Sequence, residues 1–132
     1  MALVLDASVA VAWIMGEEPI ADVEGFITKV LEHTARVPGI WRIEVANALL
    51  SKVTKRNDGS VILEGWLERL RKLPVGMDEL THARAWSRTV WLAWKHGLST
   101  YDASYLELAI RIDATLLTLD GDMARAGARE GV

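Results

Sequence analysis

Ala2-Leu-Val-Leu-Asp-Ala-Ser8 decides the fold of this chain. Four uninterrupted apolar residues end at an acid, and such a run suits a strand buried on both faces, as in a parallel sheet. Asp6-Ala-Ser8 then opens a helix-like stretch, Val9 to Met15, which Gly16 stops. The same order of events returns near the other end. Ala114-Thr-Leu-Leu-Thr-Leu119 reads as a second strand, and it too ends at an acid, Asp120. Between the two lie helical patterns over about Pro19 to His33, Trp41 to Lys55, Ser60 to Lys72, Asp78 to His96 and Ser99 to Arg111, with a last short helix from Met123 to Arg129. The stripes expected to be buried are Val23, Phe26, Ile27, Val30 and Leu31 on the first of these, and Ile43, Ala46, Leu49, Leu50 and Val53 on the second. Arg36-Val-Pro38 suits a short edge strand because of its proline, and Leu73 to Met77 suits a brief extended segment. Strands alternating with helices in this way predict an α/β fold, a three-layer α/β/α sandwich with a mainly parallel central sheet.

The whole-chain properties agree. The 132 residues fit one domain, expected to span 1–132, and 51% hydrophobic content is enough for a real core. No cysteine is present, which excludes disulfides and thiolate metal sites. Val9 to Met15 falls far short of the ~20 apolar residues of a membrane span, and Met1-Ala-Leu-Val-Leu lacks the basic head of a signal peptide. A soluble cytoplasmic protein with no membrane partner is expected. The net charge of −3 argues against coating nucleic acid by bulk electrostatics. A nucleic-acid partner would need local basic patches or a bound cation.

Function is to be sought where the acids fall. Asp6 and Asp120 both follow apolar strands, and ligands of open α/β sheets bind beyond the carboxyl ends of the strands. Glu44 lies in the first turns of a helix, Asp102 opens another, and both helices follow connections that can return to that edge. Each acid also has an ordinary explanation. Asp6 and Asp120 can cap the helices that follow them, Asp102 stands three residues after Ser99 as in a capping box, and Glu44 can be a solvated helix acid. Two buried strands delivering acids to one edge weigh against those explanations taken together. Converging carboxylates need a counter-charge, since two of them 4 Å apart repel by about 4 kcal/mol at an effective dielectric of 20. A hard divalent cation with oxygen ligands, Mg²⁺ or Mn²⁺, removes that repulsion. Zinc is disfavoured because His33, His82 and His96 are scattered, and they read as surface or helix-end residues.

Asp-Ala-Ser at 6–8, Glu44 with Asn47 on one helix, Ser99-Thr-Tyr-Asp102 and Leu117-Thr-Leu-Asp120 together resemble PIN-domain nucleases, and most of all the VapC toxins of bacterial toxin–antitoxin pairs. The resemblance covers essentially the whole chain and rests on the order and spacing of the motifs rather than on any one of them. It implies a PIN-like fold and a Mg²⁺- or Mn²⁺-dependent endoribonuclease, homodimeric and silenced by a cognate antitoxin. It assigns Asp6, Glu44, Asp102 and Asp120 as metal-binding catalytic acids. Ser8, Asn47 and Thr118 become supporting polar groups behind them, and Asp122 matches an extra acid of some members. The closing strand of the family is cut short in this sequence. The expected chemistry is hydrolysis of RNA phosphodiesters by a metal-activated water. No Ser-His-Asp or Cys-His pairing is needed for it, and none is evident.

Two other function classes share parts of this pattern. Asp120-Gly-Asp122 invites comparison with phosphatases of the haloacid dehalogenase kind, which place a nucleophilic aspartate after the first strand. Their second acid, two residues later, is Ser8 here, and their downstream lysine has no candidate. A non-catalytic PIN-like binding module is disfavoured by the complete acid set. Most of the six tryptophans are expected in the core, although Trp86, Trp91 and Trp94 cannot all share one helical face, so that one or more is expected to be exposed and to serve an interface. Lys52, Lys55 and Arg56, like Arg69, Arg71 and Lys72, read as helix-end cations. An exposed apolar surface beside Val9 to Met15 is expected to pair two copies and to receive an antitoxin helix.

Overall fold

The computed structural model describes residues 1–132. Its centre is a four-stranded, all-parallel sheet in the order β3-β2-β1-β4, formed by β1 (Leu3–Leu5), β2 (Ala35–Val37), β3 (Val75–Met77) and β4 (Thr115–Leu117). Val4 sits opposite Arg36 on one side and Leu116 on the other, so the first strand lies inside the sheet. That position explains its composition: Leu3, Val4 and Leu5 are all buried. The helices are α1 (Ala7–Met15), α2 (Ile20–His33), α3 (Trp41–Val53), α4 (Gly59–Leu70), α5 (Thr81–Arg84), α6 (Val90–His96), α7 (Thr100–Arg111) and α8 (Gly121–Arg129). α1 packs on α2, α3 and α4, while α7 packs on α6 and α8, giving helical layers that flank the sheet. The predicted three-layer architecture is therefore the observed one. No helix is long and apolar enough to cross a membrane.

Several local expectations need correction. β2 is an interior strand, paired with both β1 and β3, rather than an edge. Pro38 lies just beyond its last paired residue, where a missing N–H removes no ladder bond. β4 stops at Leu117, two residues before the end of its apolar run, which frees Thr118 and Leu119 for a turn. On α3 the buried stripe is Trp41, Val45, Leu49 and Val53, whereas Ile43 and Leu50 are exposed. The apolar residues of this helix allow more than one phase, and the one that buries the large indole of Trp41 prevails. It leaves Glu44 half-buried at the edge of the stripe. Leu31 of α2 is likewise exposed.

The segment expected as one helix from Asp78 to His96 begins at Thr81 and is interrupted by a π-helical turn, Ala85–Thr89, between α5 and α6. Gly97 ends it at φ 65°, the left-handed cap that glycine adopts without strain. Of the six tryptophans only Trp41 is buried, and Trp86, Trp91 and Trp94 are 96%, 64% and 81% exposed. The core is instead filled by aliphatic side chains, with Tyr105 at its centre. α1 is an inner helix with Val9, Ala10, Ala12 and Ile14 buried, so it offers no exposed apolar face. His96 does end a helix, but its side chain is buried against Glu130.

Candidate active site

The carboxyl edge of the sheet gathers acids from four elements. Asp6 directly follows β1 and is buried. Glu44 comes from the first turns of α3, Asp102 from the first turn of α7, and Asp120 from the turn after β4. The helix-capping explanations separate cleanly. Asp6 occupies the cap position of α1 yet makes no cap hydrogen bond. Its Oδ2 instead accepts from Ser8 Oγ at 2.5 Å and from Thr118 Oγ1 at 2.8 Å. Asp120 does cap α8, through Oδ1, which accepts from the backbone N–H groups of Asp122 and Met123. At α7 the cap is the hydroxyl of Ser99, which accepts from the Asp102 N–H at 3.0 Å and leaves the Asp102 carboxylate out of the cap bond.

Ser8 and Thr118 join the two strand ends. Each donates its hydroxyl to Asp6, and each accepts a backbone N–H from the turn after β4. Leu119 N–H reaches Ser8 Oγ at 3.2 Å, and Asp120 N–H reaches Thr118 Oγ1 at 3.0 Å. The early end of β4 makes this possible, because a continued strand would turn Thr118 into a ladder residue. Glu44 has its own support, which the sequence did not announce. The buried Tyr105 donates its hydroxyl to Glu44 Oε1 at 2.7 Å. Tyr105 lies three residues after Asp102 on α7, on the same side of the helix, and that spacing was the available signal.

The electrostatics identify the four acids as one group. Burial pushes the Asp6 carboxyl above its ordinary range; the hydroxyls of Ser8 and Thr118 oppose this, and the charges of Asp102 and Asp120 add to it. Glu44 is raised by burial, with Asp6 and Asp102 adding to it against the Tyr105 hydrogen bond. Asp102 is raised by burial and then by Asp120, against a hydrogen bond from the Ser99 side chain. Every charge acting on these three is that of another acid in the cluster. Asp6 Oδ1, Glu44 Oε2 and Asp120 Oδ2 accept no hydrogen bond. Free carboxylate oxygens with unrelieved like charge suit a hard divalent cation such as Mg²⁺ or Mn²⁺. As the side chains stand, no three of them are grouped so as to hold a metal ion together.

Two of the expected site residues stand outside this group. Asn47 is exposed on α3, and its side chain makes no hydrogen bond. Asp122 is exposed on the first turn of α8, pairs with Arg125, and exerts no charge on Asp6, Glu44 or Asp102.

The description of the PIN domain matches residues 3–129. Ribonuclease VapC3 of Pyrobaculum aerophilum is 33% identical over 129 residues, spanning 94% of this chain and 93% of that protein. The crystal structure of PAE2754 from Pyrobaculum aerophilum superposes with a TM-score of 0.69 at 20% identity, covering 96% of this chain and 84% of that one, a likeness of fold.

Proposed function

The chain belongs to the PIN domain family, and from that premise we propose that it is a metal-dependent endoribonuclease, the toxin of a toxin–antitoxin pair. The observation that carries the proposal is the cluster itself: four acids from four elements, charged against one another, with free oxygens turned to no protein donor. The likeness to a ribonuclease named VapC over nearly the whole of both chains supports RNA as the substrate and an antitoxin protein as the partner. The reading takes residues 1–132 as a single catalytic domain, cytoplasmic, working as a homodimer.

In this reading Asp6, Glu44, Asp102 and Asp120 hold Mg²⁺ or Mn²⁺. The bound cation supplies a water that is nucleophilic at neutral pH and an electrophile for the charge that develops on the phosphodiester. Ser8 and Thr118 fix the carboxylate plane of Asp6 by occupying Oδ2, so that Oδ1 would be the oxygen free to serve as a ligand. Tyr105 does the same for Glu44 by occupying Oε1. Such supporting bonds set ligand direction. The test is incubation with total RNA and Mg²⁺ or Mn²⁺, followed by mapping of the new ends. Internal cuts that EDTA abolishes are expected. RNA left intact with either metal would overturn the proposal.

A further inference from the structure

The exposed tryptophans sit where the predicted helix is broken, and the break changes what they can do. Trp86, Trp91 and Trp94 follow one another at i, i+5 and i+8. On an unbroken α-helix Trp91 would stand about 140° around the axis from Trp86. Trp86 lies inside the π-helical turn Ala85–Thr89, whose wider winding turns through fewer degrees per residue than an α-helix. Trp91 therefore comes round closer to the side of Trp86 than that angle, and Trp91 and Trp94, three residues apart on α6, share one face. All three indoles stand out in solvent, and Trp91 meets Trp94 edge to face at 6.3 Å.

Charge accompanies the rings. Thr81 to Gly97 contains Arg84, Arg88 and Lys95 and no acid, in a chain whose net charge is −3. Arg88 and Lys95 share one carboxylate, Glu130, so the strip keeps a positive surplus. It also leads to the acids. Trp94 is on the last turn of α6, a three-residue connection follows, and the first turn of α7 carries the exposed Tyr101 beside Asp102.

We propose that Trp86, Trp91 and Trp94, with the cations between them, form a stacking track that holds single-stranded RNA against the acid cluster. The proposal rests on the nuclease reading above and adds to it where the substrate lies and in what form. Aromatic faces bind successive bases without regard to sequence, and flanking cations follow the phosphates. An unpaired strand is required, since duplex bases are already stacked on each other. A second copy seated face to face would instead set two strips of positive surplus together, which disfavours that occupant.

The experiment measures binding of a labelled, unstructured oligouridine in EDTA, where cleavage is silent, by wild type, Trp86→Ala, Trp94→Ala and Trp94→Phe. Each alanine variant is expected to weaken binding about fivefold or more, while Trp94→Phe retains most of it. With metal, the alanine variants should raise KM and leave kcat unchanged, and light scattering should give all four proteins the same mass. Alanine variants that bind like wild type overturn the track. So do variants whose mass halves, since the face would then be a contact between copies. Wild type that binds RNA in EDTA but never cuts it with metal defeats the nuclease reading and leaves the track standing.

Discussion

Two strands of this sheet end at a buried acid, and the two acids meet opposite fates. Asp78 follows β3 as Asp6 follows β1, and both are 5% exposed. Asp78 receives the guanidinium of Arg111 in a two-pronged pair, at 3.0 and 2.7 Å, and the hydroxyl of Thr81 at 3.0 Å. Arg111 also bonds Glu107, buried one turn earlier on α7, at 2.9 and 3.0 Å. Burial pushes the Asp78 carboxyl up, but the hydrogen bonds and charge of Arg111, with Thr81, outweigh it and hold it below its ordinary range. Asp6 has hydroxyl donors of the same kind and no cation, and it ends above that range. The lesson is that hydroxyl donors alone do not make a buried carboxylate comfortable. The Asp78 cluster finds its cation within the chain, whereas the Asp6 cluster, in the reading proposed above, takes its cation from solution.

The comparison is broken most forcefully at Arg111. Arg111→Met should leave Asp78 and Glu107 buried without their cation, at a cost of about 3–5 kcal/mol. A melting temperature within two degrees of wild type would show that the pairing is not what makes those acids tolerable. Cleavage per folded molecule should change little, because this cluster takes no part in the chemistry.

The acid cluster should behave in the reverse way, with activity lost and stability kept. Residues that only orient metal ligands are worth 10–100-fold, so Asp6→Asn, Glu44→Gln, Asp102→Asn and Asp120→Asn should each lower kcat by about a hundredfold or more. Asp122→Asn, altering an exposed acid already paired with Arg125, should stay within about twofold. Wild-type turnover in any two of the four variants would break the assignment.

A smaller effect sharpens the contrast through pH. Asp6, Glu44 and Asp102 bind protons more tightly folded than unfolded, so ionising them opposes folding. In EDTA, stability should fall as pH rises from the ordinary carboxylate range through their raised values. Asp78 works the other way: its contribution is present above the unfolded value and is lost as pH falls through its lowered one. Chemical denaturation of the metal-free protein at pH 5 and pH 7.5 should favour the lower pH, and less so in Asp6→Asn. Equal slopes in the two proteins would mean that Asp6 is not strained.

What was legible in the sequence follows from this contrast. Strands buried on both faces announce themselves as apolar runs, so Leu3–Leu5 and Thr115–Leu117 were readable, and their trailing acids pointed to one edge of the sheet. Ser8 and Thr118 were readable as neighbours of those acids. The Asp78–Arg111–Glu107 cluster was not, because its pairing spans 33 residues and only tertiary packing decides which cation meets which acid. Tyr105 was hidden for the same reason, its partner lying 61 residues away. That one or more of Trp86, Trp91 and Trp94 faces outward was readable from their spacing, whereas the exposure of all three was not, because a π turn leaves no sign in hydrophobic spacing and large rings suggest core. The phase of α3 was ambiguous within the helix itself.

The central claim, that these four acids await a cation, is tested most directly by four melts: wild type and Asp102→Asn, each in EDTA and in saturating Mg²⁺ or Mn²⁺. At a hundredfold excess over its dissociation constant the metal should stabilise wild type by about 2.7 kcal/mol, a melting shift of several degrees for a chain of this size. The variant should shift far less, and in EDTA it should melt at or above wild type, because one repelling charge is gone. Equal metal shifts in both proteins, with the variant melting lower in EDTA, would contradict the account and leave Asp102 as a residue of the helix start alone.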